Sequence, residues 1–281
     1  MLTAGPVVIC MGLAAVSVAC SDYDSQVDAP GYSLEVVARE IRLVDGLAWH
    51  PSGALLATEE YRGGGLLKID PLTGSSSYIA RDLADPDNIA VVGGQIYVTE
   101  EDSSGRILRI DSLERVHVFA RGLDGPEGLD LGPDDRLYVA EHTPDGQVVS
   151  FALDGTRRTL ARVTNGEGLR VLPDGTVLVA ETSENRVVAI DSTGEKSVFL
   201  DGVDSPDGIA IDTARARVLV TEDASPGRLL AVDLASGELS TVATGLDAPQ
   251  TMLVESDGSI LVAEQGEHRV LRLRPQLEEE Q

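Results

Sequence analysis

An acid, a small residue and an apolar run recur together six times along the chain. The copies are Asp45-Gly46-Leu47, Asp87-Asn88-Ile89, Glu127-Gly128-Leu129, Glu167-Gly168-Leu169, Asp207-Gly208-Ile209 and Gln250-Thr251-Met252, the last with an amide for the acid. Their first positions are 42, 40, 40, 40 and 43 residues apart. A second marker, a Glu ending an apolar run, gives Glu59, Glu100, Glu141, Glu181, Glu222 and Glu264, spaced 41, 41, 40, 41 and 42. Two markers that keep one period specify an array of equivalent units.

Each unit reads as four short strands. In the fourth, these are 168–172, 176–181, 186–190 and 196–200, with Pro173-Asp174-Gly175 and Ser192-Thr193-Gly194 in turns between them. Runs of β-formers bounded by Gly, Pro, Asp and Ser are hairpin signals. Four strands per unit of about 40 residues is the period of a β-propeller blade, so the expected fold is all-β, a six-bladed propeller. The last unit lacks a fourth strand, and an orphan strand over 34–41 precedes the first. The N-terminal strand is therefore expected to complete the last blade and close the ring, removing an exposed sheet edge. The expected organisation is a leader over 1–20, a tether over 21–33, one domain over 34–274 and an acidic tail over 275–281.

Strand direction alternates within a blade, so the acid before the innermost strand and the Glu ending the second lie on one face. The first set rims the channel. The second sits outward and has a structural explanation. Arg62, Arg106, Arg186, Arg228 and Arg269 follow it in five units, and turn N–H groups lie nearby. Such pairs, if exposed, are individually weak. The inner ring is Asp45, Asp87, Glu127, Glu167, Asp207 and Gln250, with Asn88 adding an amide. Converging carboxylates without counter-charge raise their pKa values or take a cation. All-oxygen ligands point to a hard cation, Ca²⁺ over Mg²⁺. The alternative is that each acid bonds the turn at its own blade entrance. His142, next to Glu141 at this face, is a candidate base or a plain loop residue. His50, His117 and His268 read as loop or outer-strand positions.

Asp plus Glu outnumber Lys plus Arg by 47 to 22, a net charge of −25 that excludes a phosphate-backbone partner. The two cysteines are Cys10 and Cys20, so no disulfide holds the fold. Val7–Ala19 is an apolar run of 13 residues, right for a signal-peptide core and short for a membrane span. Ala19-Cys20-Ser21 after it resembles a bacterial lipoprotein processing site, at which Cys20 would be acylated. The alternatives are an ordinary cleaved signal and a cytoplasmic chain. The expectation is an exported monomer, lipid-anchored to the cell envelope or periplasmic, touching a membrane only through that anchor.

Val177 to Val187 resembles an NHL repeat, with Glu181 where those repeats carry Asp. The whole array is similar to the senescence-marker-protein/gluconolactonase family of six-bladed propellers, through Ser205-Pro206-Asp207-Gly208-Ile209-Ala210-Ile211-Asp212. The resemblance implies that Asp207 binds a catalytic divalent cation and is a candidate base. It also implies further ligands at Asp45, where the family has Glu, and at Glu167, where it has Asn.

Three functions follow. The first is a Ca²⁺-dependent hydrolase of a small lactone or ester, with Asp207, Glu167 and His142 as catalytic candidates. In this reading Asp45, Glu167 and Asp207 hold the metal, and Asn88, Glu127 and Gln250 meet substrate. The second is a non-catalytic NHL-type binding module with a protein partner at one face. The third is a metal-assisted lyase similar to streptogramin-inactivating propellers, whose repeats carry Thr-Glu before a Gly-Arg loop, as in Thr99-Glu100 and Gly105-Arg106.

Overall fold

The structure is a computed structural model that describes residues 27–102 and 104–276. The leader with Cys20, residues 21–26 of the expected tether and residues 277–281 of the tail lie outside the described residues.

Six antiparallel sheets of four strands make the fold. The innermost strands are Val44–Trp49, Pro86–Val92, Pro126–Leu131, Gly166–Val171, Pro206–Asp212 and Pro249–Val254. Each touches the innermost strands of the blades before and after it, and the first touches the last, so the ring is closed. Five sheets follow chain order from the centre outward. In the sixth, Tyr32–Ala38 lies beside Arg269–Pro275, with Leu34 opposite Leu273 and Val36 opposite Leu271. The expected closure by the N-terminal strand is thus present.

Short β-branched and aliphatic runs suit this architecture because each sheet is buried on both faces. The apolar residues form six clusters, each between neighbouring blades. One joins Tyr97 and Ile107 of the second blade to Leu129, Val139 and Phe151 of the third. Phe119 bridges Tyr97 and Phe151 edge-on, with ring centroids 5.1 and 6.1 Å away. Fully burying a Leu or Val contributes about 1.5–3 kcal/mol, and dozens of such residues are buried here.

The stretch before the first strand departs from the expected tether. Asp28 pairs with Thr244 through two backbone bonds of 2.9 and 2.8 Å. Val27 and Ala29 are buried in the core between the fifth and sixth blades. Two apolar side chains with a paired backbone between them make a docked segment, so the propeller begins by residue 27. At the other end, the Gln276 N–H donates to the Gly31 carbonyl at 2.8 Å.

Candidate functional site

The ring acids sit inside the innermost strands rather than before them, and a β-bulge aims each one. In every blade, the residue before the acid pairs with the strand-ending Glu: Val44 with Glu59, Pro86 with Glu100, and so on to Pro249 with Glu264. The next paired residue lies three positions on, while its partner lies only two back, as in Leu169 with Val179. The acid and its small neighbour carry the extra residue. A bulge re-aims side chains, and here it turns six of them toward the axis.

The small neighbour has its own cause. A methyl group at Gly46, Gly128, Gly168 or Gly208 would overlap the carbonyl oxygen of the next blade's ring residue. Asn88 and Thr251 break the pattern in the second and sixth blades. Thr58, Thr99 and Thr221 tie the same joints. Each accepts the N–H of its own blade's small residue and donates to the next ring residue's carbonyl: Asp87, Glu127 and Gln250.

The ring surrounds a cavity of about 230 Å³. Asp45, Asp87, Asn88, Glu127, Glu167, Asp207 and Gln250 all line it, so every expected site residue of the ring is brought together. His142 lines it too. A second tier, absent from the sequence reading except for His142, lies above: Glu60, Glu101, Asp223 and Gln265. Each directly follows a strand-ending Glu, so the signal for this tier was the same period shifted by one residue.

Among the described residues, no Lys or Arg lines the cavity. Burial, followed by the neighbouring carboxylates, raises the pKa of Asp45, Asp87, Glu127 and Asp207 well above the ordinary range. Burial lifts Glu167 to about 7, against the opposing pull of His142 and a Thr182 hydroxyl bond of 2.8 Å. Burial also raises Glu60 and Asp223.

His142 is the cavity's one histidine. Its Nδ1 lies 2.6 Å from Glu127 Oε1 and 3.8 Å from Glu101 Oε1, and its Nε2 lies 3.4 Å from Glu167 Oε1. Glu101 and Glu167 raise its pKa against the opposing effect of burial. Gln265 donates to Glu60 at 2.6 Å. Asn88 donates to Thr251 at 3.5 Å and accepts from the Ile89 N–H at 2.8 Å.

Two trios bring their ligand atoms within 4.8 Å of one another among the described residues: Asp45, Glu60 and Asp87, and Glu101, Glu127 and His142. The expected trio of Asp45, Glu167 and Asp207 lines the same cavity without being gathered that closely. The Asp87 carboxylate, on a residue 6% exposed, makes no hydrogen bond among the described residues. The Asp207 carboxylate likewise has only other acids as its charged neighbours, and such a donor set fits a hard divalent cation.

The outer Glu ring is structural, and more deeply so than exposed ion pairs. All six residues are at most 4% exposed. Glu100, Glu141, Glu181, Glu222 and Glu264 each accept a backbone N–H from the turn that enters their own blade, at 2.7–3.3 Å. Arg106, Arg186, Arg228 and Arg269 pair with Glu100, Glu181, Glu222 and Glu264, as expected. Arg62 does not pair with Glu59. It turns outward to Asp102 at 3.0 Å, and Tyr78 donates to Glu59 at 2.8 Å instead. The run Gly63-Gly64-Gly65 after Arg62 takes the strand through an irregular register, so Arg62 is not opposite Glu59.

The other histidines stand apart from the cavity. His50 bonds Ser52 at 2.7 Å, and His117 lies 3.2 Å from Asp111. His268 accepts the Leu43 N–H at 3.1 Å, linking the last blade to the first.

A family described as the SMP-30/gluconolactonase/LRE-like region matches residues 82–198. Solved structures share the whole propeller at low identity. A gluconolactonase from Xanthomonas campestris is 15% identical with a TM-score of 0.75, covering 86% of this chain and 89% of that one. A virginiamycin B lyase from Staphylococcus aureus is 14% identical with a TM-score of 0.63, covering 89% and 90%. A PQQ-bound aldose sugar dehydrogenase from Streptomyces coelicolor is 16% identical with a TM-score of 0.68, covering 88% and 99%. A comparison with curated protein sequences finds no match. The chain is a six-bladed propeller, and its residues 82–198 are similar to the SMP-30/gluconolactonase/LRE-like region.

Proposed function

We propose that the acid face holds Ca²⁺ and hydrolyses a small lactone or ester. The observation that carries this reading is the convergence of eight carboxylates on one cavity with no Lys or Arg among its described lining. Asp45, Glu167 and Asp207 would hold the cation, with Glu60 and Asp87 beside Asp45. When bound, the cation supplies positive charge that polarises a carbonyl.

The chain's own groups can move the protons. Glu167, through a carboxylate oxygen not engaged with the cation, takes a proton from water as the water oxygen adds to the acyl carbon. The acyl C–O bond breaks, and the departing oxygen takes a proton from His142, which Glu127 holds in place. The amides of Asn88 and Gln250 stand at the cavity wall, where they can meet substrate hydroxyls. The leader-like N-terminus supports export, with Cys20 as the lipid attachment point.

The test is Asp207→Ala, assayed for Ca²⁺ binding by calorimetry and for turnover on a panel of lactones and esters. Loss of both is expected. Unchanged turnover in that variant would sink the proposal.

The position of His142 among carboxylates also favours a second reading, ester opening by elimination with His142 as base. The likeness to a virginiamycin B lyase is consistent with it. Product mass separates the two, because hydrolysis adds one water and elimination adds none.

A further inference from the structure

Three residues past each ring acid, the innermost strands carry Ala48, Ala90, Asp130, Arg170, Ala210 and Leu253. All six line a cup of about 380 Å³. The strands run from the acid face toward this cup, so it is the other mouth of the channel. Its volume is within the range of small-ligand pockets. Trp49, Leu131 and Ile211, each half-buried, add apolar walls.

Four of the six ring positions are small or apolar, and the exceptions are adjacent. Asp130 is already satisfied. Its Oδ1 accepts the Leu131 N–H at 2.9 Å and its Oδ2 accepts the Val171 N–H at 2.9 Å. Arg170 is not. Its side chain is 15% exposed, and its one charge contact is Asp130 at 3.8 Å, beyond hydrogen-bond reach. Among the described residues it donates no hydrogen bond. A guanidinium carries five N–H donors in a planar fork that matches a carboxylate. Its nitrogens still reach water, which an arriving acceptor can replace.

We infer that this cup is a second binding site, for a small monocarboxylate with an apolar body. Arg170 receives the carboxylate and the apolar walls receive the body. One guanidinium matches one negative charge. A cationic head is disfavoured by the Arg170 charge in the same wall, and Asp130 is already engaged by two backbone N–H groups. The acid ring does not forbid an anion here. At about 3.3 Å per strand residue, Arg170 lies about 10 Å along the strand from Glu167. That exceeds the screening length of about 8 Å at physiological salt. The site does not depend on what the acid face binds or does.

Trp49 is the chain's one tryptophan, so its emission reports on the cup directly. The test titrates the full protein with octanoate, 1-octanol and octylammonium below their micelle concentrations. These probes share one tail and differ in the head. Octanoate is expected to shift Trp49 emission saturably and to bind at least about tenfold more tightly than octanol, as a charge-assisted bond implies. Octylammonium is expected to bind least. Arg170→Met should erase the octanoate preference and leave octanol unchanged. A melting curve checks that this variant folds; if it does not, the three-head comparison in the unaltered chain decides. No saturable response to octanoate, equal affinity for the three heads, or an octanoate preference that survives Arg170→Met would each overturn the inference.

Discussion

Nδ1 of His142 lies 2.6 Å from Oε1 of Glu127, while Nε2 of the same ring lies 3.4 Å from Oε1 of Glu167. One imidazole thus joins ring acids of neighbouring blades. His142→Gln removes the one side chain lining this cavity that can carry positive charge. Turnover of any lactone substrate is expected to fall about 10²-fold, the usual lower range for loss of an acid–base group. The metal-free melting temperature is expected to fall as well. Steady-state kinetics and thermal melts check both.

Stability of the metal-free protein is expected to decline as pH rises. Asp45, Asp87, Glu127, Glu167 and Asp207 all have raised folded pKa values. A carboxyl whose folded pKa exceeds its unfolded one binds more protons when folded. It destabilises the fold as pH climbs from the unfolded value, about 4, toward the folded value. His142, also raised, acts in the same direction: its contribution is full below its unfolded pKa and is lost as pH passes its folded pKa. The melting temperature in chelator should therefore drop between about pH 5 and pH 8, across the ordinary carboxyl and imidazole ranges. Added Ca²⁺ should restore more stability at the alkaline end. A chelated melting temperature that rises over this interval contradicts the electrostatics given above.

Gly168→Ala puts a methyl group against the Asp207 carbonyl. Overpacking of this kind costs about 1–3 kcal/mol, and a fixed backbone atom puts this site at the upper end. Urea titration is expected to show that loss, together with weaker Ca²⁺ binding, because the displaced atom belongs to a ring acid. Gly175→Ala serves as the control. Its Cβ meets nothing, and its φ of 88° confines the effect to local backbone strain without touching the cavity.

Glu181→Ala probes the outer ring. Glu181 accepts from the Thr164 N–H at 3.1 Å, Arg186 Nη2 lies 2.6 Å away and Lys196 donates at 2.7 Å. Lys196 and Arg186 hold its pKa below the ordinary range despite burial. Both cations keep partial access to water, so removing their partner is expected to cost about 2–3 kcal/mol. Ca²⁺ affinity should stay unchanged. A large change in metal binding with little change in stability would reverse the roles assigned to the two rings.

The period made the blades, the closure and the inner ring legible, because equivalent residues had to recur wherever equivalent geometry did. Bulges were not legible. Nothing in Gly166-Glu167-Gly168 announces an extra residue; only the pairing of Gly166 with Glu181 and of Leu169 with Val179 reveals it. The upper tier of Glu60, Glu101, Asp223 and Gln265 went unread because its members differ in chemistry, although their spacing matches the strand-ending Glu. Val27 and Ala29 looked like tether because two small apolar residues in a polar stretch carry no strand pattern. Their burial depends on a groove between blades that only the assembled ring creates.

The bulges have a consequence for how such a molecule can change over generations. Each ring acid is held by ladder pairs just before and just after it along its own strand, so its aim owes little to the connecting loops. Insertions after Glu60, Asp102 or Asp223 could therefore lengthen into walls or covers without disturbing the carboxylates beneath. The same hardware could be handed a new substrate by altering only what stands around it, one blade at a time.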